Sequence, residues 1–394
     1  MTLDPVRDAS NREIMAAHGL DALICRLPDN VLLLTGYWPV SSFAFAVLPR
    51  EGELVLIAVE TERLEIPEGA ADDVRFYSFG VLGTPEPLDS VQRLLADVLR
   101  ALGVDRGRIG IEQDFEAVAA GHGGGDVFFP GAATRAAIRA AAPDADLVDA
   151  VPMLDEARTC KTPYELDKLR RANAVAAFGL QAFHDLYEAG RTEAEIAAGV
   201  EDAIRSRGIG FEGAGHVRAW AQLMTGPGSA LAYSLHPTTS ARVVQLGDLG
   251  VLELGTCVDG YWSDLTRTLV AGPPSERQSA MYQAIVTAVD AVIEGGRPGM
   301  SAGEVDALAR TQIERSGFSD LFFHATGHGL GFRYHESHPL LKPENSETIQ
   351  AGMVSSVEPG LYVEGFGGMR LEQNVAFTDS GVEVLSLFPI ALGR

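Results

Sequence analysis

The chain has 394 residues, 54 acidic against 31 basic, and a formal net charge of -23. That length can bury a sizeable core and predicts two to three domains of roughly 150 residues each. The acidity argues against nucleic acid and anionic membrane surfaces as partners, since both are met by basic patches. Most of the excess reads as solvated surface; the sharper alternative is that some carboxylates cluster inward around a cation.

The N-terminus has no basic start followed by an apolar run, so no secretory leader is expected. No apolar stretch reaches the ~18 residues of a spanning helix. Cys25, Cys160 and Cys257 are odd in number and widely spaced. They fit neither a disulfide framework nor a Cys-rich zinc site, and read as small core residues in a reducing, cytoplasmic setting.

In chain order, residues 11–19 predict a helix ended by glycine. Residues 21–26 and 31–34 are short apolar runs with a Pro-Asp-Asn turn between them. Residues 44–49 and 54–59 flank a Glu-Gly turn and predict a hairpin. An amphipathic helix over 91–102 and a strand over 108–111 follow, so the first part reads as an α/β domain. The glycine-rich loop at 121–125 lacks the Gly-Lys-Ser/Thr ending of a phosphate loop and is expected to be a flexible turn. The second part opens with a helix over about 163–188. Thr192 and Glu195 then form a capping box that starts another helix ending near Gly208. Ser301 and Glu304 repeat that box 109 residues later (301 minus 192), and Gly317 repeats Gly208 at the same offset. This predicts an internal duplication of a helix-helix-sheet unit.

The chemistry follows from side-chain parity. Asp259-Gly260 is a strong two-residue hairpin turn. If Val258 pairs with Tyr261, Glu253 faces Thr266, and Asp264 lies diagonally across on the same face. Two carboxylates on a buried face must be protonated, paired or bridged by a cation; on an exposed face they would simply be solvated. Near the C-terminus, Glu358 ends an expected strand, and Arg370, Glu372 and Asn374 share one face of an alternating run. His328 sits between glycines that allow close backbone approach. Glu253, Asp264, His328, Glu358 and Glu372 together suit Mn, Co, Fe or Zn. Acids on two separate hairpins suit a two-metal site with ions ~3.5–4 Å apart and a bridging water or hydroxide, which predicts amide or ester hydrolysis.

At residues 250–268, 327–336, 357–362 and 368–374 the sequence resembles the creatinase–prolidase–methionine aminopeptidase superfamily, the pita-bread metallopeptidases. Within it the Xaa-Pro branch, aminopeptidase P and prolidase, is most similar. Residues 19–37, with Leu34-Thr35-Gly36-Tyr37, look like that branch's N-terminal domain, and Lys161-Thr-Pro-Tyr-Glu165 looks like the entry to its catalytic domain. The resemblance implies an α+β chain: an α/β creatinase-like domain over 1–158, then a pita-bread catalytic domain of pseudo-twofold duplicated units over 159–394. It implies two divalent ions, Mn first, on Glu253, Asp264, His328, Glu358 and Glu372. Glu358 would also be the general base and acid. His236 and His335 would contact substrate, and Arg370 would orient the last metal-binding acid. A proline-containing peptide would be the substrate and a homodimer the assembly, with Tyr37 and Trp38 in a loop near the partner's site.

Two departures stand out. The family usually has Asp where this chain has Glu253, and the extra methylene moves the carboxylate by about an ångström or more, enough to weaken one metal site. Between Arg333 and Arg370 there is no arginine, only Lys342, so an arginine clamp for a free dipeptide carboxylate is not expected. This leans toward aminopeptidase-like or unusual dipeptidase specificity. The alternatives are a non-peptide amidohydrolase of the same fold, as creatinase and ectoine hydrolase are, and a binding protein that has lost catalysis.

Overall fold

The structure, a computed structural model, describes residues 4–39, 43–79, 82–113, 131–234 and 238–393. Two compact units meet in sequence at Arg158 and Thr159. The glycine-rich loop at 121–125 and His236 lie outside the described residues.

The first unit contains α1 (Pro5–Ala17), β1 (Ala22–Cys25), α2 (Pro28–Thr35), β2 (Phe45–Pro49), β3 (Val55–Val59), β4 (Asp73–Tyr77), α3 (Pro87–Ala101), β5 (Arg108–Ile111), α4 (Ala132–Ala141), β6 (Asp146–Asp149) and α5 (Val151–Thr159). Its sheet runs β4-β3-β2-β1-β5-β6. The expected hairpin is present, with Phe45 opposite Ile57. α3 buries Val91, Leu95, Val98 and Leu99 at helical spacing against the sheet residues Ile24, Val47 and Ile57.

One segment differs from the sequence reading. The Pro-Asp-Asn stretch is not a turn between two apolar runs but the first turn of α2. Pro28 sits in that first turn, where its missing N–H costs nothing. The lead-in is held from far along the chain: the Glu112 carboxylate accepts from the backbone N–H of Arg26 (2.8 Å) and Leu27 (3.0 Å), and from Asn30 Nδ2 (2.7 Å). Gly36, with φ of 70°, ends the helix. Just beyond it Tyr37 is buried, and its hydroxyl donates to Glu62. That side chain is thus engaged inside its own unit.

The second unit starts with α6 (Pro163–Leu186) and α7 (Glu193–Gly208). The antiparallel sheet β7 (Val217–Thr225), β8 (Leu249–Val258) and β9 (Tyr261–Val270) follows. Then come α8 (Glu276–Gly295), α9 (Ala302–Arg315), β10 (Gly327–Gly329), β11 (Glu336–Leu341), β12 (Val354–Val357), β13 (Gly360–Val363), β14 (Gly367–Arg370), β15 (Gln373–Thr378) and β16 (Gly381–Val384). The second sheet runs β11-β10-β12-β15-β16, and β13 and β14 form a hairpin.

The two halves repeat each other. Both expected capping boxes form, at Thr192 with Glu195 and at Ser301 with Glu304. An incoming strand segment pins each helix start in the same way. Thr192 bridges Val243 and Ser301 bridges Thr348. Glu193 N–H donates to the Arg242 carbonyl, and Ala302 N–H to that of Glu347. Each helix pair covers its own sheet. Val175, Phe183, Ile196 and Ile204 pack on Leu252 and Leu254, while Met281, Ile285, Val305 and Ile313 pack with Val357 and Val375. The helices thus seal one side of each sheet, and the polar strand residues collect on the other.

Candidate metal centre

The β8–β9 hairpin has the register read from sequence. Val258 pairs with Tyr261, Glu253 with Thr266, and Asp264 with Gly255. Asp259 and Gly260 take φ values of 50° and 89°, the left-handed pair that a tight hairpin turn demands. Glu253 and Asp264 therefore share a face.

His328 comes from β10, whose backbone is wedged between two others. A Cβ on Gly327 would run into the Ser356 carbonyl, and one on Gly329 into that of His338. The glycines are there for this approach. Ser356 Oγ then accepts from His328 N–H (3.0 Å), and the Nδ1–H donates to the Gly329 carbonyl (2.9 Å). This bond turns Nε2 toward Asp264 (3.4 Å) and Glu358 (3.3 Å).

Residues 369–375 are not one continuous strand. The run breaks at Leu371-Glu372, between β14 and β15, because those two N–H groups donate to the Pro359 and Thr266 carbonyls. Arg370, Glu372 and Asn374 still converge on the hairpin. Asn374 Oδ1 accepts from Asp264 N–H (3.0 Å) while its Nδ2 donates to the Asp264 carbonyl (2.6 Å). Arg370 Nε donates to Thr266 Oγ1 (2.9 Å), and its other nitrogens reach Glu253 and the Ala232 carbonyl.

The structure thus brings Glu253, Asp264, His328, His335, Glu358 and Glu372 together. Three overlapping triads have ligand atoms within 4.8 Å of one another: Asp264, His328 and His335; His328, Glu358 and Glu372; Glu253, Asp264 and Glu372. Of these, Glu253, His328, His335 and Glu358 border a cavity of about 340 Å³ whose walls include Trp220, Met224, Tyr233, His324 and Leu340.

Electrostatics follow from crowding acids where water is scarce. Burial, with the nearby charges of Asp264 and Glu358, holds Glu372 well above the usual carboxylate range. Its Oε1 is buried with no hydrogen-bond partner among the described residues. Burial also lifts Glu358, to about 7, against the opposing pull of His328. Burial opposes a charge on His328, but Asp264 and Glu358 outweigh it and push the imidazole up to about 9. Asp264 is buried too, yet His328 and His335 hold it below its ordinary value. A divalent cation fits here. It would give the orphaned Glu372 oxygen a partner and replace the proton on Nε2.

Three contributors escaped sequence reasoning. Tyr334, buried beside His335, donates to Asp264 Oδ1 (2.5 Å) and reaches Glu253 Oε1 (2.6 Å). Thr266 Oγ1 lies 2.8 Å from both Glu253 and Glu372; its place opposite Glu253 was the only signal. Lys161 forms a buried ion pair with Glu336 (2.5 Å), whose other oxygen accepts from Phe332 N–H (2.8 Å) and fixes the loop carrying Tyr334 and His335. His338, by contrast, is partly exposed and pairs with Glu347 (2.8 Å).

This arrangement is that of a metallohydrolase. Residues 167–379 match the model for metallopeptidase family M24, and residues 7–160 match the creatinase/prolidase N-terminal domain. The chain belongs to metallopeptidase family M24, with a pita-bread unit behind a creatinase-like domain. It is 29% identical over 379 residues to the uncharacterized peptidase YqhT of Bacillus subtilis (strain 168), covering 96% of this chain and 97% of that one. It is 33% identical over 234 residues to a Xaa-Pro dipeptidase of Pyrococcus furiosus; that match covers 59% of this chain and 65% of the relative, just under two thirds of its length. A Xaa-Pro dipeptidase from Bacillus anthracis has the same fold, with a TM-score of 0.79 over 98% of both chains at 24% identity. Among the described helices, none is long and apolar enough to cross a membrane.

Proposed function

We propose that this chain is a metal-dependent hydrolase that cleaves the peptide bond between a residue and a following proline. The observation that carries the reading is the buried set of Asp264, His328, Glu358 and Glu372 beside a cavity, with a Glu372 oxygen that no donor among the described residues serves. Family membership and Xaa-Pro dipeptidase relatives support the substrate class. These oxygen and imidazole donors suit Mn first, with Co, Zn and Fe compatible. The family resemblance implies a pair of ions, a homodimer, and substrate contacts from His236 and His335. No disulfide joins the three cysteines, which supports a reducing, cytoplasmic location.

When bound, a divalent ion polarises the scissile carbonyl and lowers the pKa of water. The protein's own groups do the rest. Glu358 would take a proton from the attacking water and return it to the leaving proline nitrogen. His335 Nε2, 3.4 Å from Asp264, presents a donor for the carbonyl oxygen as it gains charge. Arg370 orients Glu253 and lies 3.7 Å from Glu358. Among the described residues lining the cavity, Arg370 is the arginine, and protein acceptors already engage it. A free substrate carboxylate therefore finds no open arginine there, which supports acceptance of peptides longer than two residues.

The test is chelation followed by metal add-back, with Xaa-Pro dipeptides, longer Xaa-Pro peptides and non-peptide amides assayed side by side. Hydrolysis restored by metal and confined to Xaa-Pro bonds is expected. Activity on the non-peptide amides alone, or none under any metal, overturns the reading.

A further inference from the structure

We propose that this chain holds one divalent ion rather than a pair, and that Glu253 is an internal partner of Arg370 and Tyr334 rather than a ligand. The proposal rests on the metal-dependent hydrolase reading above and concerns the ion count of that site.

A second ion would need the triad of Glu253, Asp264 and Glu372. Both Glu253 oxygens are already engaged. Oε1 lies 2.6 Å from the Tyr334 hydroxyl. Oε2 meets the Arg370 guanidinium and lies 2.8 Å from Thr266 Oγ1. A charge-assisted contact of this kind is among the stronger ones a carboxylate makes inside a protein. The Tyr334 hydroxyl is also 2.5 Å from Asp264 Oδ1. One phenol therefore stands between two of the three acids.

Tyr334 is not free to swing away. Its ring packs against Trp220 at 5.1 Å and Trp262 at 5.7 Å between centroids, both nearly edge-on. Trp220 in turn lies across Gly255, where any Cβ would collide with the indole. The phenol is buried and held in place by the β7–β8–β9 sheet itself. The longer reach of glutamate matches this arrangement, because the extra methylene brings the carboxylate to both Arg370 and Tyr334.

The other end of the cluster carries no such plug. Asp264 Oδ2 faces His328 and His335. Glu358 Oε1 accepts from the Ser356 hydroxyl at 3.0 Å and lies 3.3 Å from His328 Nε2. Glu372 Oε1 has no protein donor among the described residues. Asp264, His328, Glu358 and Glu372 would hold the single ion, and Glu253 would act on it through Thr266 and Tyr334.

The experiment loads the purified full chain with excess Mn, removes loosely held ions by gel filtration, and counts metal per chain. Electron paramagnetic resonance then distinguishes an isolated Mn ion from a spin-coupled pair. One ion per chain with an uncoupled spectrum is expected. Glu253→Gln is expected to keep that ion with an affinity lowered by about 10- to 100-fold, as for a group acting behind the ligands, whereas Glu372→Gln loses it. Two ions with a coupled spectrum, the second lost in Glu253→Gln, would overturn the proposal and leave the hydrolase reading intact. No ion bound by the wild-type chain would overturn both. The wild-type count alone decides the matter if a variant fails to fold.

Discussion

Glu112 in the first unit and Glu372 in the second are both buried, and burial raises the pKa of each. Their donors differ. Glu112 accepts from two backbone N–H groups and the Asn30 side chain, and its neighbours are a helix lead-in and the sheet. Glu372 accepts from Thr266 through one oxygen, lacks a described donor at the other, and has Asp264 and Glu358 as charged neighbours. A raised pKa therefore does not separate a structural acid from an ion-binding one. Donor supply does, because a satisfied carboxylate needs no cation and a clustered, under-donated one does.

The largest expected effect lies on the ion-binding side. Glu358→Ala removes the group assigned to proton transfer and should lower kcat by about 10²- to 10⁴-fold with the fold retained. Single-turnover kinetics with circular dichroism checks this, and near-normal turnover would break the assignment. On the structural side, the Glu112 pKa of about 7 stands above the ordinary 4.5. Between those values the folded chain keeps a proton that the unfolded chain releases. The contribution to stability is full below about 4.5 and is lost as pH rises through about 7, by about 3 kcal/mol. Glu112→Gln should abolish that slope, measured by denaturant unfolding at pH 5 and pH 8. An unchanged slope would mean that the donors around Glu112 offset its burial.

Adding Mn at a hundred times its Kd should stabilise the wild-type chain by about 2.7 kcal/mol. Glu372→Gln should forfeit most of that gain, and Glu112→Gln should keep all of it. Equal loss in both variants, read from melting curves with and without Mn, would erase the distinction between the two acids.

The difference between the units also marks what sequence could reveal. The β8–β9 register was legible because side-chain parity and an Asp-Gly turn are local and leave one pairing. The capping boxes and their repeat were legible for the same reason. α2 was not, because Glu112, more than 80 residues away, holds its entry. The break at Leu371-Glu372 was hidden too, since its cause is the Pro359 and Thr266 carbonyls rather than anything in the run itself. Parity and glycine spacing gathered Glu253, Asp264, His328, Glu358 and Glu372. The roles of His335 and Arg370 came from family resemblance. Tyr334 was invisible because its meaning lies in the two acids across the cavity and the two indoles that hold it.

Asn374 gives the smallest effect and the finest discrimination. Its side chain is no candidate ligand itself, but it closes two hydrogen bonds on the backbone of Asp264, a member of two of the triads. Asn374→Ala leaves a buried N–H and carbonyl without those partners, at a cost of about 1–3 kcal/mol in stability. Asp264 also loses the clamp that fixes its position on β9, so Mn affinity should fall by about 10-fold or somewhat more. Asn374→Asp, which can still accept from the Asp264 N–H, should restore part of the stability but not the affinity, because it adds a charge next to the cluster. Calorimetric titration of both variants with Mn separates the two effects. If affinity stays at the wild-type value while stability drops, Asn374 supports the sheet alone, and the geometry of Asp264 is set by the ion and its histidines instead.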